Sequence, residues 1–353
     1  MNKNILALAV AAAVATPMAA QADLKLSGVV QAEVGSVEVA GGDRVTYNDM
    51  GTGALGWDGG MNKISFDFDE KLDGGLTAFG RADWVFDTSG STNSWGKRET
   101  YVGLKNAGAH FKVGRIQGIY KTTGGSIDPL HATGAQSRGM GGGRTGGGFG
   151  HGSYLNSVLE VGFKGGDFGL TAQYIADEGT KLDGSWLVGA DYSTKTWGLW
   201  AGASSEDKTG AADALINAKV GGFAKFGGLT AALQYESAES GTYNERAITN
   251  LVSGDTATQM KNAYGSVDQG DYMMGSLAYG MGNVTLAGWL ASYSSDNYSD
   301  GDAISWSVGA VYSLSKRTML YGAYHQTDSD VTFGTKDDVF DWNAFALGVA
   351  HKF

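Results

Sequence analysis

Residues 141–146 spell G-x-G-x-x-G, within the stretch GMGGGRTGGGFGHG at 139–152, where nine of fourteen residues are glycine. Such a run could cradle a phosphate if a strand preceded it, a helix came after it, and an acid stood about 20 residues on. Just beyond it lies LNSVLEV (155–161), which reads as another strand, and there is no G-K-[ST] of the phosphate-loop type. A glycine run contains the motif by chance, so nucleotide chemistry is disfavoured. A disordered glycine linker is the plainer alternative for this segment.

The other reactive residue types are scattered. His110, His131, His151, His325 and His351 include no pair at metal-binding spacing such as H-x-x-x-H. Serines, histidines and aspartates occur without a G-x-S-x-G turn or any other nucleophile signature. Cysteine is absent, which removes disulfides, thiolate catalysis and thiolate metal sites. The sequence therefore predicts no enzyme.

The elements that must carry these residues have a period of two. In KISFDFD, Ile64, Phe66 and Phe68 alternate with Lys63, Ser65, Asp67 and Asp69. In LTAFGRADW, Leu76, Ala78, Gly80, Ala82 and Trp84 oppose Thr77, Phe79, Arg81 and Asp83. LTAALQYE (229–236) and WSVGAVY (306–312) repeat the pattern. Seven short polar-glycine turns recur, at 71–76, 105–110, 164–170, 193–199, 225–229, 280–283 and 313–318. Longer connections alternate with them, near 35–61, 87–97, 117–155, 178–184, 206–213, 240–270, 293–303 and 328–342. These separate sixteen strands of about 8–11 residues, the length at which a tilted strand crosses a bilayer.

An even number of up-and-down strands with strict short and long alternation predicts an all-β fold, a transmembrane antiparallel β-barrel. A bilayer offers no water to an open sheet edge, so the sheet must close. Sixteen strands leave a water-filled lumen that about eight would plug. A soluble β-sandwich does not account for the two loop classes. Aromatic residues at strand ends, among them Trp84, Phe86, Trp186, Tyr192, Trp306, Tyr312 and Tyr324, suit interfacial girdles.

Composition agrees. The chain opens MNKNILALAVAAAVATPMAAQA, with Lys3, an apolar run over Ile5–Ala15 and the A-x-A site Ala20-Gln21-Ala22. This predicts a cleaved signal peptide over 1–22 and a single barrel domain over 23–353. The expected mature chain holds one proline, Pro129, as strand ladders require. The formal net charge of −11 argues against nucleic acid as a partner. No apolar run of about 18 residues is present, so no spanning helix is expected.

The sequence also resembles the trimeric general porins of the Gram-negative outer membrane, of β-proteobacterial type. The terminal strand FALGVAHKF, with Phe345, Leu347 and Val349 in alternation and Phe353 last, is similar to the porin terminus. YSLSKRTMLYGAY (312–324) resembles the penultimate hairpin, and KRETYVGLKNAGAHFKVGR (97–115) resembles the strands leading into the third loop. SIDPLH and LNSVLEV resemble the middle and exit of that loop. The resemblance implies passive diffusion of small hydrophilic solutes and ions through a homotrimer, with lipopolysaccharide and the outer-membrane assembly machinery as partners. Phe353 would be the assembly signal.

It further implies that the loop at 117–155 folds inward and narrows the pore. By position in the family, the candidate wall residues are Lys63, Arg98 and Arg115; strand alternation adds Arg81 and the inward acids Asp67, Asp83 and Glu160. Alternation from Phe111 and Val113 points Arg115 outward. The loop carries Lys121, Asp128, Arg138 and Arg144, one acid against three bases. Family members place more acids there, so the transverse field should be weakened or rearranged, and a modest anion preference is expected. Asp296, Asp300 and Asp302 in one outer loop, and Asp328, Asp330, Asp337, Asp338 and Asp341 in another, offer carboxylates to a divalent cation such as Ca2+. A substrate-specific channel and a chiefly structural or adhesive barrel remain the alternatives.

Overall fold

The computed structural model describes residues 23–39, 44–47, 62–86, 88, 95–137, 154–176, 183–206, 214–239, 270–295, 302–330 and 341–353. The expected signal segment, Arg138, Arg144, the stretch 139–152, and Asp296, Asp300, Asp337 and Asp338 lie outside these residues.

The described chain is one antiparallel sheet that closes on itself. Its strands are β1 (Asp23–Val39), β2 (Val45–Tyr47), β3 (Lys63–Lys71), β4 (Thr77–Val85), β5 (Gly96–Asn106) and β6 (Ala109–Gln117). They continue with β7 (Tyr154–Gly165), β8 (Phe168–Ile175), β9 (Trp186–Ser193), β10 (Trp197–Glu206), β11 (Leu215–Phe226) and β12 (Leu229–Ala238). The last are β13 (Gly270–Met281), β14 (Val284–Ser295), β15 (Ala303–Ser313), β16 (Thr318–Ser329) and β17 (Trp342–Lys352). Sixteen are long; β2 is a three-residue strand that pairs with Gly35–Val37 of β1. All seven predicted short turns join neighbouring strands. β1 runs further than the alternation suggested, to Val39 rather than to about residue 35, because Val39 still pairs with Trp342 of β17.

Closure rests on β1, which pairs with β3 through residues 23–29 and with β17 through 29–39. Gly28 and Phe353 then exchange backbone hydrogen bonds, each 3.1 Å. Gly28 must lack a Cβ, which would overlap the Phe353 ring and the Lys63 carbonyl.

The sheet is inverted relative to a soluble protein. Leu24, Leu199, Leu233, Leu277 and Leu290 are each more than half exposed, whereas Glu33, Asp83, Glu160, Glu206 and Glu236 are buried. Soluble domains almost never bury carboxylates while exposing a continuous apolar face. Alternation places the first set on the outer face and the second on the inner face, as in a barrel that meets lipid outside and encloses polar groups. Among the described residues no helix is long and apolar enough to cross a membrane.

Candidate functional site

After β6 the chain turns at Gly118 into a single helical turn, α1 (Ile119–Thr122), and continues irregularly to Ser137. This segment lies against the inner face of the wall. Tyr120 and Ile119 pack with Ile116, Leu155, Val158, Ile175 and Leu187, an apolar cluster between α1 and β6–β9. Gln173 of β8 accepts from the Ile119 N–H at 2.7 Å and donates to the Gln117 carbonyl at 3.0 Å. Tyr120 donates its hydroxyl to Glu236 Oε1 of β12 at 2.8 Å. Burial, reinforced by the Glu236 charge, pushes the Tyr120 phenol well above its usual value, so it stays a donor.

Further along, Leu130 lies against Gly309 of β15, and Trp289 of β14 donates to the Ala135 carbonyl at 3.0 Å. Two residues of β1 complete the attachment: Gln31 donates to the Ala132 carbonyl at 2.6 Å, and Gly134 N–H donates to Glu33 Oε2 at 2.9 Å. The segment thus tracks the wall from β8 round to β15 and β1. Among the described residues, none of the hydrogen bonds just named joins the segment to β3–β5, and α1 meets β6 and β7 through the apolar cluster.

That arc holds the charged network. Arg81 donates to Asp67 at 2.6 Å and to Glu99 at 3.3 Å. Lys63 and Arg98 approach Asp83 at 3.8 and 3.9 Å. Asp83 also accepts from the Glu99 backbone N–H. Glu160 is held by Lys112 at 2.6 Å, by His110 at 2.8 Å and by Gln173 at 2.7 Å. Tyr154, the first residue of β7, has Arg98, Lys121 and Arg115 at 4.9, 5.4 and 5.8 Å from its ring centre.

Two irregularities decide who joins this network. The β4–β5 ladder slips between Ala82 and Trp84, so Asp83 faces both Arg98 and Glu99. Such a bulge aims two consecutive side chains together, which strict alternation forbids. A second slip, between Gly114 and Ile116, lies at Arg115. Alternation points Arg115 outward, yet its guanidinium reaches Asn156 and the Tyr154 ring.

Asp128 stands elsewhere. It is buried within the loop and accepts from Leu130 N, Ser137 N and Ser137 Oγ at 2.9, 2.8 and 3.0 Å. These three hydrogen bonds make its carboxylate a cap for the loop's own turns. Sequence reasoning overlooked Glu99, Lys112, Tyr154, Gln31, Glu33 and Glu236. Alternation with Phe111 and Val113 would have turned Lys112 inward; nothing local marks Glu33 or Glu236 as loop anchors. Of the outer-loop acids, Asp302, Asp328, Asp330 and Asp341 are described. Among the described residues no three His, Cys, Asp or Glu side chains gather as a metal site. The strands flanking the glycine stretch, β6 and β7, are antiparallel neighbours, so the strand–helix–strand setting of a dinucleotide loop is absent there.

Comparison with known proteins fits this architecture. A family model described as Gram-negative porin matches residues 7–332. Major outer membrane protein P.IB of Neisseria meningitidis serogroup B is 28% identical over 378 residues, covering 100% of both chains. Another P.IB of that serogroup is 37% identical over 132 residues, 36% of this chain and 38% of that protein. Among solved structures, the anion-selective porin from Comamonas acidovorans has a TM-score of 0.69 at 19% identity, with 94% of this chain and 100% of that one covered. In-vitro folded OmpT of Vibrio cholerae, in its trimer form, has a TM-score of 0.64 at 13% identity over 94% and 99% of the two chains. The family match spans most of the sequence and the barrel is the one such a sequence requires: the chain belongs to the Gram-negative porin family and resides in the outer membrane.

Proposed function

We propose that the protein forms a water-filled channel for passive diffusion of small hydrophilic solutes and ions, with a modest preference for anions. The observation that carries the channel reading is the inversion of the closed barrel, apolar outside and charged inside. Family membership points to a non-enzymatic channel.

In this reading the loop at 117–155 is the constriction. The attachment of 119–137 to β8–β15 and β1, with α1 packed on the ends of β6 and β7, supports it, since the opening then falls beside the charged network of β3–β7. Six bases meet four acids there: Lys63, Arg81, Arg98, Lys112, Arg115 and Lys121 against Asp67, Asp83, Glu99 and Glu160. Glu236 of β12, on the far wall, and Glu33 of β1, the strand beside β3, are both engaged by the loop. The excess positive charge at the opening favours anions even though the chain as a whole is acidic. Arg138 and Arg144 would add to it.

Recording from refolded protein in a planar bilayer under a salt gradient tests the proposal. Ion current with a reversal potential on the anion side is expected, and the double variant Arg98→Gln/Arg115→Gln should move it toward cations. Absence of current would refute the channel; a cation-side potential in the unmodified protein would refute the preference. We further propose a homotrimer, which three-step closure would reveal. Phe353 is its signal to the assembly machinery, and the acidic outer loops bind divalent cations that bridge to lipopolysaccharide phosphates.

A further inference from the structure

We propose that Tyr154 is a positioning residue for the pore's charge, its ring gathering Arg98, Arg115 and Lys121 into one cationic patch. The inference rests on the proposed channel function.

Three separate pieces of chain deliver these cations: β5, β6 and α1. Their charged groups come within 4.9 to 5.8 Å of one ring centre, inside the range of about 6 Å over which an aromatic face attracts a cation. Three like charges so close repel one another, and a carboxylate is the usual remedy. A carboxylate at position 154 would also cancel one of the charges. An aromatic ring attracts through its quadrupole and cancels none.

Arg98 shows how far the site relies on this. It is mostly buried, and its Nε and Nη1 have no hydrogen-bond partner among the described residues. Its carboxylate neighbour, Asp83, lies at 3.9 Å and is shared with Lys63 and the Glu99 backbone. The Tyr154 face is therefore a principal contact for the guanidinium. Tyr154 is also where the chain re-enters the wall, directly after the loop, so its ring couples loop Lys121 to wall Arg98 and Arg115.

The test compares Tyr154→Phe, Tyr154→Leu and Tyr154→Gln in the full-length folded protein, by reversal potential under a KCl gradient. Phe keeps the face and should keep the unmodified permeability ratio. Leu and Gln remove the face with different shapes, so either one that folds is informative. Each should shift the ratio toward cations by about fivefold, the equivalent of a cation–ring contact of about 1 kcal/mol. An unchanged ratio in the Leu or Gln variant would overturn the proposal, even if heat stability fell. So would a Phe variant that shifts as far as Leu, because the hydroxyl would then be the active group. The sign of the unmodified protein's potential tests the anion preference; the difference between Phe and Leu tests Tyr154.

Discussion

Glu33 offers the sharpest test of how the loop is held. The residue is 2% exposed, and its carboxylate accepts from the Gly134 N–H at 2.9 Å. Replacing Glu33 by alanine removes a charge-assisted hydrogen bond, worth about 1.5–3 kcal/mol, and leaves a buried N–H unpaired. Since about 1.4 kcal/mol is tenfold in an equilibrium, the detached state of residues 132–134 should rise by roughly ten- to a hundredfold. Gln31, two residues away on the same face, still bonds Ala132 at 2.6 Å, so the segment should flicker rather than leave. Single-channel recording at fixed voltage should show excess current noise in Glu33→Ala and much less in Glu33→Gln, which keeps an acceptor. A folded Glu33→Ala barrel with the noise and conductance of the unmodified protein would refute the claim that this bond secures the loop. Adding Gln31→Ala should give more than the sum of the two single effects, because both side chains hold one segment.

Other perturbations probe other layers. Gly189 of β9 lies under α1, and a Cβ there would overlap Thr123 Oγ1 and Ile119. Gly189→Val should push α1 toward the lumen and lower single-channel conductance without altering the barrel's heat-dependent gel mobility. Leu233 is in the middle of β12 on the outer face, 57% exposed. Leu233→Arg should cost about 2–4 kcal/mol if that face meets the bilayer core, read from urea titration in lipid vesicles. An unchanged midpoint would place Leu233 away from lipid.

Much of the architecture was legible from residue order alone. Phe66 and Phe68 against Asp67 and Asp69 declare which way each side chain points, because strand geometry leaves only two choices. The seven short turns are equally local: aspartate and glycine at 72–76, and asparagine and glycine at 106–109, suit tight reversals wherever the chain goes next. Lys63, Asp67, Arg81 and Asp83 could be assigned to one face for the same reason.

What a local rule cannot reach is the register between strands or a contact between loop and wall. Arg98 faces Asp83 only because the β4–β5 register slips by one residue, and no residue type announces that slip. Arg115 contradicts its own alternation at a second slip. Asp128 is an acid in the loop, and its hydrogen bonds to Leu130 and Ser137 depend on how the loop itself folds. Nothing local marks Glu33 or Glu236 as anchors; that role depends on Gly134 and Tyr120, residues about 100 positions away in each case. Alternation and turn chemistry, which act between neighbours in sequence, determined the barrel and its two faces. Register slips and loop anchoring join residues far apart in sequence, so only tertiary structure could decide which charges share the opening.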